Sequence, residues 1–378
     1  MLTPQEALIT LNLIPGLGSM RIQALLEYFG SAELVLHASR SMLSNVPRIG
    51  PKLAAAIADW RNCTNARAEV DCAEQFGVRI ITLQDAEYPA FLRRMSDPPV
   101  VLYVRGNLLQ SDSDRGVAIV GTRQATPYGN TTARRFGREL ADAGCTIISG
   151  LARGIDTAAH WGALDAGGRT IAVLGFGIAG IYPEENARLA ELICDGHGAL
   201  VSEFPMYMRP SKATFPQRNR IVAAWSRATL VVEAPQRSGS LHTATMAGAD
   251  YGNRVFAIPG PINQISFSGC HALIRDGATL CTSPAELLED MQWEQGGQQL
   301  ELFAETPREG EKQDSVREPL SDAESADILQ AIASGHDTLD ALCSVLGCGA
   351  HSITPRLMRL QIERRIIPLP GGRFSNAQ

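Results

Sequence analysis

The sequence predicts an α/β protein whose central sheet is mostly parallel, with a helical domain before it and another after it along the chain. In residues 76–290, short apolar runs alternate with helical stretches of about 10–15 residues, which is the pattern of parallel strands joined by crossover helices. Residues 1–75 read as helices joined by Gly-rich turns. Residues 322–378 predict three short helices followed by a hairpin, which is typical of a winged helix.

Apolar runs predict the strands, and helices are expected between most of them, for example at 131–143, 156–166 and 240–251. In sheets of this kind ligands bind beyond the carboxyl ends of the strands, so a site is expected in the turns that follow them. The predicted strands are 78–82, 100–104, 117–120, 146–149, 170–174, 199–202, 229–233, 255–258 and 278–281.

The charge of the chain is unevenly distributed. Its 378 residues, 45% of them apolar, suggest about two or three domains with a sizeable core, and its net charge is −6. Residues 284–327 contain 13 acidic and 3 basic residues, a net charge of −10 that leaves +4 for the remainder. Residues 211–254 contain 6 basic and 2 acidic residues. We interpret 291–321 as an acidic flexible linker, and the local positive charge elsewhere suits a polyanion.

The eight cysteines form no Cys-x-x-Cys pair and no spacing typical of a zinc site, so neither a metal nor a cofactor is predicted. Their thiols are expected to be free and buried. The first residues lack a basic n-region, and no apolar run approaches about 18 residues. We therefore expect no membrane segment and a cytoplasmic protein with reduced thiols.

Two similar turns, at 14–18 and 46–50, each precede a predicted helix within residues 1–75. They resemble the helix-hairpin-helix (SAM-like) pattern, in which a Gly-rich turn presents helix-start amides to a DNA phosphate. The second turn carries Arg48, with Lys52 after it, whereas the first has no basic residue of its own. Two interpretations stay open, namely contact with DNA and a structural bundle whose glycines only make tight turns.

The strand predicted at 117–120 ends in Gly121-Thr122-Arg123 rather than in a three-glycine dinucleotide fingerprint. No acidic residue stands at the end of the second strand, about 20 positions later, where a ribose would be held. Gly121 allows the backbone to approach a ligand closely, and Arg123 supplies a forked donor for phosphate. The alternative is a structural turn with a solvated Arg.

The strand predicted at 146–149 leads into a second turn that contains Gly150, Arg153 and Asp156. Asp156 lies at a helix start, where a carboxylate caps free amides, so we interpret it as structural. Arg153 faces either a ligand or solvent, and the sequence does not separate the two.

The basic and aromatic turn at 212–220 is the most informative stretch of the chain. Lys212, Phe215 and Arg218 are predicted to face a ligand, because Lys and Arg neutralise phosphates and Phe offers a stacking face to an unpaired base. Asn219 and Arg220 are predicted to be partly structural, since neighbouring residues on a helix point apart. The alternative is an ordinary charged helix start.

A fourth turn contains Gly239, Ser240 and Thr243 and opens another helix, whose amides and hydroxyls suit anion oxygens. His242 is interpreted as packed or solvated rather than catalytic. The four turns are expected to converge on one groove. None of them pairs a nucleophile with a base, and the chain has neither a Gly-x-Ser-x-Gly elbow nor a Gly-x-x-x-x-Gly-Lys loop, so binding is favoured over catalysis.

Five motifs occur in order in the core, at 121–123 with 128–129, 149–156, 215–221, 238–244 and 255–260. Together they resemble the DNA-processing protein A (DprA/Smf) family. The resemblance implies an extended Rossmann-like core that forms homodimers, binds single-stranded DNA and loads RecA onto it, displacing single-strand-binding protein during natural transformation. It further implies that Arg123 contacts DNA, that Lys212 binds phosphate and that Phe215 stacks on a base. Thr122 stands where many relatives have Ser.

Two other functions fit parts of the sequence. An enzyme that cleaves nucleoside monophosphates would use a similar core, but 238–243 lacks the Gly-rich turn and the following Glu of phosphoribohydrolases, for which only Glu233 offers a substitute. A transcription factor would use the winged helix, whose third helix has Arg356 and Arg359 but also Glu363. The prediction is therefore a single-stranded DNA-binding recombination mediator that is not an enzyme.

Overall fold

A nine-stranded sheet in the order β1-β2-β6-β5-β4-β3-β7-β8-β9 organises the larger part of the chain. The seven strands from β6 to β9 pair in parallel, whereas β1, β2 and β6 pair antiparallel. The predicted mixed α/β fold with a mostly parallel sheet is confirmed, and every predicted strand is present with ends shifted by at most two residues. The strands are β1 (Val78–Thr82), β2 (Val101–Gly106), β3 (Gly116–Val120), β4 (Thr146–Ser149), β5 (Arg169–Leu174), β6 (Gly198–Ser202), β7 (Ala228–Val231), β8 (Arg254–Ala257) and β9 (Thr279–Leu280).

The structure, a computed structural model, describes residues 2–293, 322–346, 353, 357, 360, 365–369 and 373–376. The chain divides into two units, Met1–Ala304 and Glu305–Gln378. The helices of the first unit are α1 (Pro4–Leu13), α2 (Ser19–Phe29), α3 (Ala32–His37), α4 (Arg40–Ser44), α5 (Pro51–Ala58), α6 (Trp60–Cys63), α7 (Ala66–Gln75), α8 (Ser111–Asp114), α9 (Pro127–Asp142), α10 (Ile155–Asp165), α11 (Ala187–Leu192), α12 (Thr214–Trp225), α13 (Gly239–Ala249), α14 (Ser268–Arg275) and α15 (Pro284–Asp290).

Both faces of the sheet are covered, because the side chains of its continuous apolar strands alternate between two cores. One face packs against α12, α13 and α14, and the other against α9, α10 and α15. The N-terminal helices and α11 extend the second layer over β1, β2, β5 and β6. Residues 2–75 therefore form seven helices that share a hydrophobic core with the sheet rather than standing apart from it.

The second unit contains α16 (Asp322–Ala333), α17 (Leu339–Leu346) and an antiparallel hairpin of β10 (Ile366–Leu369) and β11 (Arg373–Asn376). Ile328, Leu342 and Ile366 are buried in its core together with Ile353, Leu357 and Leu360. Most of the third helix predicted for the winged helix lies outside the described residues, as does the acidic linker from 294 onward. The winged-helix assignment stays a prediction.

Two helix starts differ by more than one residue from what the sequence predicted. Helix α9 starts at Pro127, four residues earlier than expected, because the Thr126 hydroxyl accepts a hydrogen bond from Gly129 N at 3.1 Å and Pro suits the first helical position. The stretch from Thr214, expected as a turn, forms the first half of α12. Its side chains therefore follow helical periodicity.

Only some of the thiols that were expected to be buried are buried in the structure. Cys145, Cys270 and Cys281 are buried and free, whereas Cys63 is exposed. The parts of the chain that the structure describes contain no cluster of His, Cys, Asp and Glu able to hold a metal ion. In the same parts, no helix combines the length and apolar character needed to cross a bilayer.

His160 on α10 is fully buried between the helix and the sheet. Its Nδ1 lies 2.6 Å from the Thr170 hydroxyl, which itself donates to Ile147 O at 2.7 Å, so the imidazole donates from Nδ1. Among the residues that the structure describes, its Nε2 finds no hydrogen-bond partner. A second proton would bury an unpaired charged donor, and burial accordingly lowers the pKa of His160 to about 3.

We expect this depressed pKa to make the fold sensitive to mild acid. Since the folded pKa lies below the usual value of about 6.5, the stabilisation is complete above pH 6.5 and is lost as the pH falls towards 3. Between pH 7 and pH 5, wild-type protein should lose about 2 kcal/mol more unfolding free energy than His160→Asn. Urea denaturation at the two pH values measures this difference, and equal losses in both proteins would contradict it.

Candidate nucleic-acid interface

A groove opens where the connections of the parallel sheet change direction. From β3 the chain proceeds outward through β4, β5 and β6, and it then returns to place β7 on the other side of β3. A crevice beyond the carboxyl ends of the strands is expected at such a point. The groove has a volume of about 580 Å³ and is lined by Val120, Gly121, Arg123, Ala152, Asp156, Tyr182, Pro210, Ser211, Lys212, Phe215, Pro216, Arg218, Asn219, Ser238, Gly239, Ser240 and Thr243.

The turn after β3 is held by its backbone, which leaves its Arg to face outward. Thr122 N donates to Glu233 O at 2.7 Å, and Ile155 N donates to Thr122 O at 3.3 Å. Gly154, with φ of 74°, makes this packing possible, because a Cβ there would lie 2.4 Å from Thr122 O. Arg123 is exposed at the rim of the groove.

Glu233 braces this turn from behind. One carboxylate oxygen, Oε2, accepts hydrogen bonds from Thr126 N and from the Thr126 hydroxyl, both at 2.9 Å. Gly129 packs so closely that a Cβ would lie 1.9 Å from the same oxygen. Glu233 is fully buried and does not line the groove, so it does not offer the groove the carboxylate that the phosphoribohydrolase hypothesis would need.

Arg123 and Phe215 form a single unit at the rim. The Arg123 guanidinium lies 4.6 Å from the centre of the Phe215 ring, a cation–π contact between a half-buried ring and an exposed side chain. Tyr182 lies beside Phe215, with 6.2 Å between ring centroids and 40° between planes. The groove thus carries a cation and two rings within reach of one another.

Lys212 lies on the approach to α12 and is exposed along the groove. The described residues provide no ion pair for its ammonium group. The neighbouring Ser211 and Thr214 hold this segment through Ser211 N, which donates to the Thr214 hydroxyl at 3.1 Å, and Thr214 N, which donates to the Ser211 hydroxyl at 3.2 Å. The lysine is therefore placed by a hydrogen-bonded turn and is available to an anion.

Arg218 lies in the floor of the groove and is only 3% exposed. Its Nη1 donates to the carbonyl oxygens of Gly150, which follows β4, at 2.6 Å, and of Val173 near the end of β5. Its Nε donates to Asn219 Oδ1 at 3.0 Å. A side chain at position 150 would collide with it, since a Cβ there would lie 2.2 Å from Nη1. Burial lowers the pKa of Arg218 to about 10, with the Asp156 carboxylate opposing that shift.

Asp156 is the partner charge of Arg218 beneath the groove. Its Oδ2 accepts hydrogen bonds from Gly150 N at 3.1 Å and Ala152 N at 3.4 Å, which fixes the turn after β4. Burial raises the pKa of Asp156, and the charge of Arg218 and the two N–H donors oppose the rise. This geometry fits the structural role inferred for Asp156 from the sequence.

The first turn of α13 forms the opposite wall. The Ser238 hydroxyl accepts from Ser240 N at 3.3 Å and caps the helix, and Gly239 is exposed. Ser240 and Thr243 are buried yet line the groove beside the helix start. The positive end of the helix dipole therefore adds to the charges of Arg123, Lys212 and Arg218.

Four residues of the predicted site are placed elsewhere. Thr122 lies behind the rim, and Gly150 and Arg153 line a small recess that shares Arg123, Tyr182 and Phe215 with the groove. The Arg153 guanidinium forms a bidentate pair with Glu185, at 2.9 and 3.0 Å, on an exposed surface. The fourth residue is Arg220.

Arg220 joins the core to the N-terminal helices and does not line the groove. Its guanidinium contacts Asp97 and Glu203, and its Nη2 lies 3.5 Å from the hydroxyl of Ser19, the first residue of α2. Glu203 is buried, and burial raises the pKa of its carboxyl group while the charge of Arg220 opposes the rise. Asn12 Nδ2 donates to Glu203 O at 3.2 Å and strengthens the joint.

Tyr182 is the residue of the groove that sequence reasoning missed. It lies in the long connection after β5, between Leu174 and α11, two residues beyond the glycines Gly175, Gly177 and Gly180. That Gly-rich run at the carboxyl end of a parallel strand was the available signal, and it was not used in the prediction.

The fold and the site define a doubly wound α/β protein with a cationic groove, bearing aromatic rings, at its switch point. Residues 79–292 match the model of the family described as DNA recombination-mediator protein A. The chain belongs to this family. Protein Smf of Synechocystis is 33% identical over 383 residues, which cover 96% of this chain and 96% of that protein.

Two solved structures agree with this assignment. DNA processing protein A of Streptococcus pneumoniae is 34% identical, with a TM-score of 0.65, and covers 76% of this chain and 98% of that one. DNA processing protein A of Helicobacter pylori, whose structure is described as revealing a single-stranded DNA binding mode, is 30% identical with a TM-score of 0.51. That match covers 57% of this chain and 96% of the other.

Proposed function

We propose that this protein is a non-enzymatic recombination mediator whose groove binds single-stranded DNA. The observation that carries the proposal is the meeting of Arg123, Lys212 and Phe215 in one groove, from turns that are up to 92 residues apart in the sequence. The exposed cations Arg123 and Lys212 and the N-terminus of α13 bind phosphates, and the Phe215 ring stacks on a base.

The aromatic rings favour single strands over duplex as the ligand. A base in a duplex is already stacked and paired, whereas an unpaired base is free to stack on Phe215 or Tyr182. When a phosphate draws the Arg123 guanidinium away from Phe215, the face of the ring that the cation covers becomes available to that base. The single-stranded DNA binding described for the Helicobacter pylori relative supports this assignment.

Sequence discrimination is not expected from this groove. Its cations and helix-start amides recognise the DNA backbone, and stacking tolerates every base.

Membership of the family supports a further role, in which the bound strand is handed to RecA and the protein acts as a homodimer in DNA processing during transformation.

Lys212→Gln tests the proposed function through salt dependence. Loss of one phosphate contact should reduce the slope of log affinity against log salt for oligothymidylate by about 0.7 and weaken binding at every salt concentration. Fluorescence anisotropy with labelled oligothymidylate measures both quantities. Arg135→Gln removes the same charge from α9, where Arg135 pairs with Glu139 at 2.8 Å, and should bind as wild type does.

Equal affinity and equal salt slope in Lys212→Gln and wild type would overturn the assignment of the groove. Incubation with nucleoside monophosphates, followed by chromatography for free base, checks the alternative enzymatic function, and we expect no product.

A further inference from the structure

The N-terminal helices contain one turn twice, at Ile14–Gly18 and at Val46–Gly50. In each turn the N–H of the fourth residue donates to the carbonyl of the first at 3.1 Å. The third residue of each has positive φ, 81° at Gly16 and 67° at Arg48. The last Gly of each precedes a helix, α2 or α5, without a side-chain cap. The first amides of α2 are therefore open, whereas α5 begins with Pro51, which has no N–H, and leaves the amide of Lys52 open.

Arg48 occupies a conformation that suits glycine. The first turn has Gly at the equivalent position, whereas the second holds a bulky residue in the left-handed region at a cost of order 1 kcal/mol. The Arg48 guanidinium contacts Met20 Sδ and is otherwise exposed. An Arg at a backbone position that favours Gly indicates a functional role for its guanidinium.

Four cations of this region lie together on one concave surface. Arg21, Arg40, Arg48 and Lys52 line a cavity of about 700 Å³, together with Gly16 and Gly50 of the two turns. Residues 1–65 contain five Lys or Arg and four Asp or Glu, so four of the five cations face the cavity. Of the four acids only Asp59 does so, and in the described residues none forms an ion pair with these cations.

This N-terminal cationic surface has no aromatic ring among its lining residues, in contrast to the groove that holds Phe215. It offers guanidinium, ammonium and open amide groups, which suit phosphates but give an unpaired base nothing to stack on. Duplex DNA presents phosphates outside and bases inside. We propose that the N-terminal cationic surface binds the backbone of duplex DNA, without sequence preference.

A rigid connection links this surface to the groove. Ser19, which follows Gly18 of the first turn, contacts Arg220 and Glu203. Arg220 lies five residues after Phe215 on α12, so its joint fixes both binding surfaces within one packed unit. If the groove binds single strands as proposed above, a duplex with a single-stranded tail occupies both surfaces and binds more tightly than either part alone.

The double variant Arg48→Gly, Lys52→Gln tests the duplex surface. We expect its affinity for a blunt duplex to fall at least about tenfold at low salt, and its salt slope to fall by about 1.8, since each lost phosphate contact contributes about 0.9. Its melting temperature should not fall below that of wild type, because Gly relieves the positive φ at position 48. Arg67→Gln removes an exposed charge outside the cavity and should keep wild-type affinity.

Anisotropy with blunt duplex, oligothymidylate and tailed duplex separates the outcomes. The proposal predicts that the double variant keeps its affinity for oligothymidylate and loses the additional affinity for the tailed duplex. It is overturned if the double variant binds blunt duplex as wild type does, if wild type does not bind blunt duplex, or if the loss appears with oligothymidylate instead. Loss of oligothymidylate binding in Lys212→Gln alone concerns only the groove, so failure of the two proposals is distinguishable.

Discussion

Replacement of both Arg123 and Phe215 by Ala should lower the affinity for oligothymidylate by about two orders of magnitude. Loss of the ring removes stacking worth about 1–3 kcal/mol per base. Loss of the guanidinium removes a phosphate contact and about 0.7 from the salt slope. Arg123 is exposed, whereas the half-buried Phe215 ring packs against the core of the first unit, so the variant should stay folded but melt somewhat below the wild-type temperature.

The two single variants show whether the contact between Arg123 and Phe215 is given up on binding. In the free protein the cation lies 4.6 Å from the ring centre. If DNA separates the pair, binding to wild type costs the free energy of the broken cation–π contact, which neither single variant has to break. The loss of binding free energy in the double variant then exceeds the sum of the two single losses by about 0.5–1 kcal/mol. If the pair persists in the complex, the losses add.

Anisotropy titrations of wild type, both single variants and the double variant at one salt concentration measure this cycle. Arg135→Gln serves as the control for loss of charge alone. Wild-type affinity in both single variants would refute the assignment of Arg123 and Phe215 to the binding surface.

Arg218→Met should destabilise the fold by about 3–5 kcal/mol. The substitution leaves the carbonyl groups of Gly150 and Val173 without their shared donor and leaves the buried Asp156 carboxylate without its compensating charge. For a unit of this size such a loss lowers the melting temperature by roughly 10 °C. Differential scanning calorimetry of the purified protein measures it.

Arg218→Lys is the informative companion variant. It restores a positive charge near Asp156 but lacks the planar fork that reaches two carbonyl oxygens and Asn219, so it should recover only part of the stability. A melting temperature equal to wild type in Arg218→Met, combined with weaker DNA binding, would show instead that Arg218 serves the ligand and not the framework.

The apolar runs predicted the sheet well, because a strand buried on both faces must be apolar along its whole length and leaves a clear signal. The helix start at Pro127 was missed since it depends on a cap by Thr126, one residue outside the apolar pattern. The stretch at 212–220 was expected as a turn because its charges and Pro216 conceal helical periodicity. In the structure Pro216 lies in the first turn of α12, where a proline is tolerated.

The sequence could not show which of two nearby arginines faces the groove. Arg218 and Arg220 are the same residue type two positions apart, yet Arg218 lies in the floor of the groove and Arg220 joins the core to the N-terminal helices. Their hydrogen-bond and ion-pair partners determine these different roles, and those partners are distant in sequence. Gly150 lies 68 residues from Arg218, and Asp97 lies 123 residues from Arg220.

By itself the sequence determined the parallel sheet and the turns that carry cations and glycines, because burial and backbone geometry constrain residue type locally. Only the tertiary structure decided which cations remain free. Arg123 and Lys212 face an open groove, and Arg153 is paired with Glu185. Arg218 is buried against carbonyl groups, and Arg220 is partly buried against carboxylates. The physical reason is that a side chain's availability depends on its neutralising partners, and those come from other strands and helices.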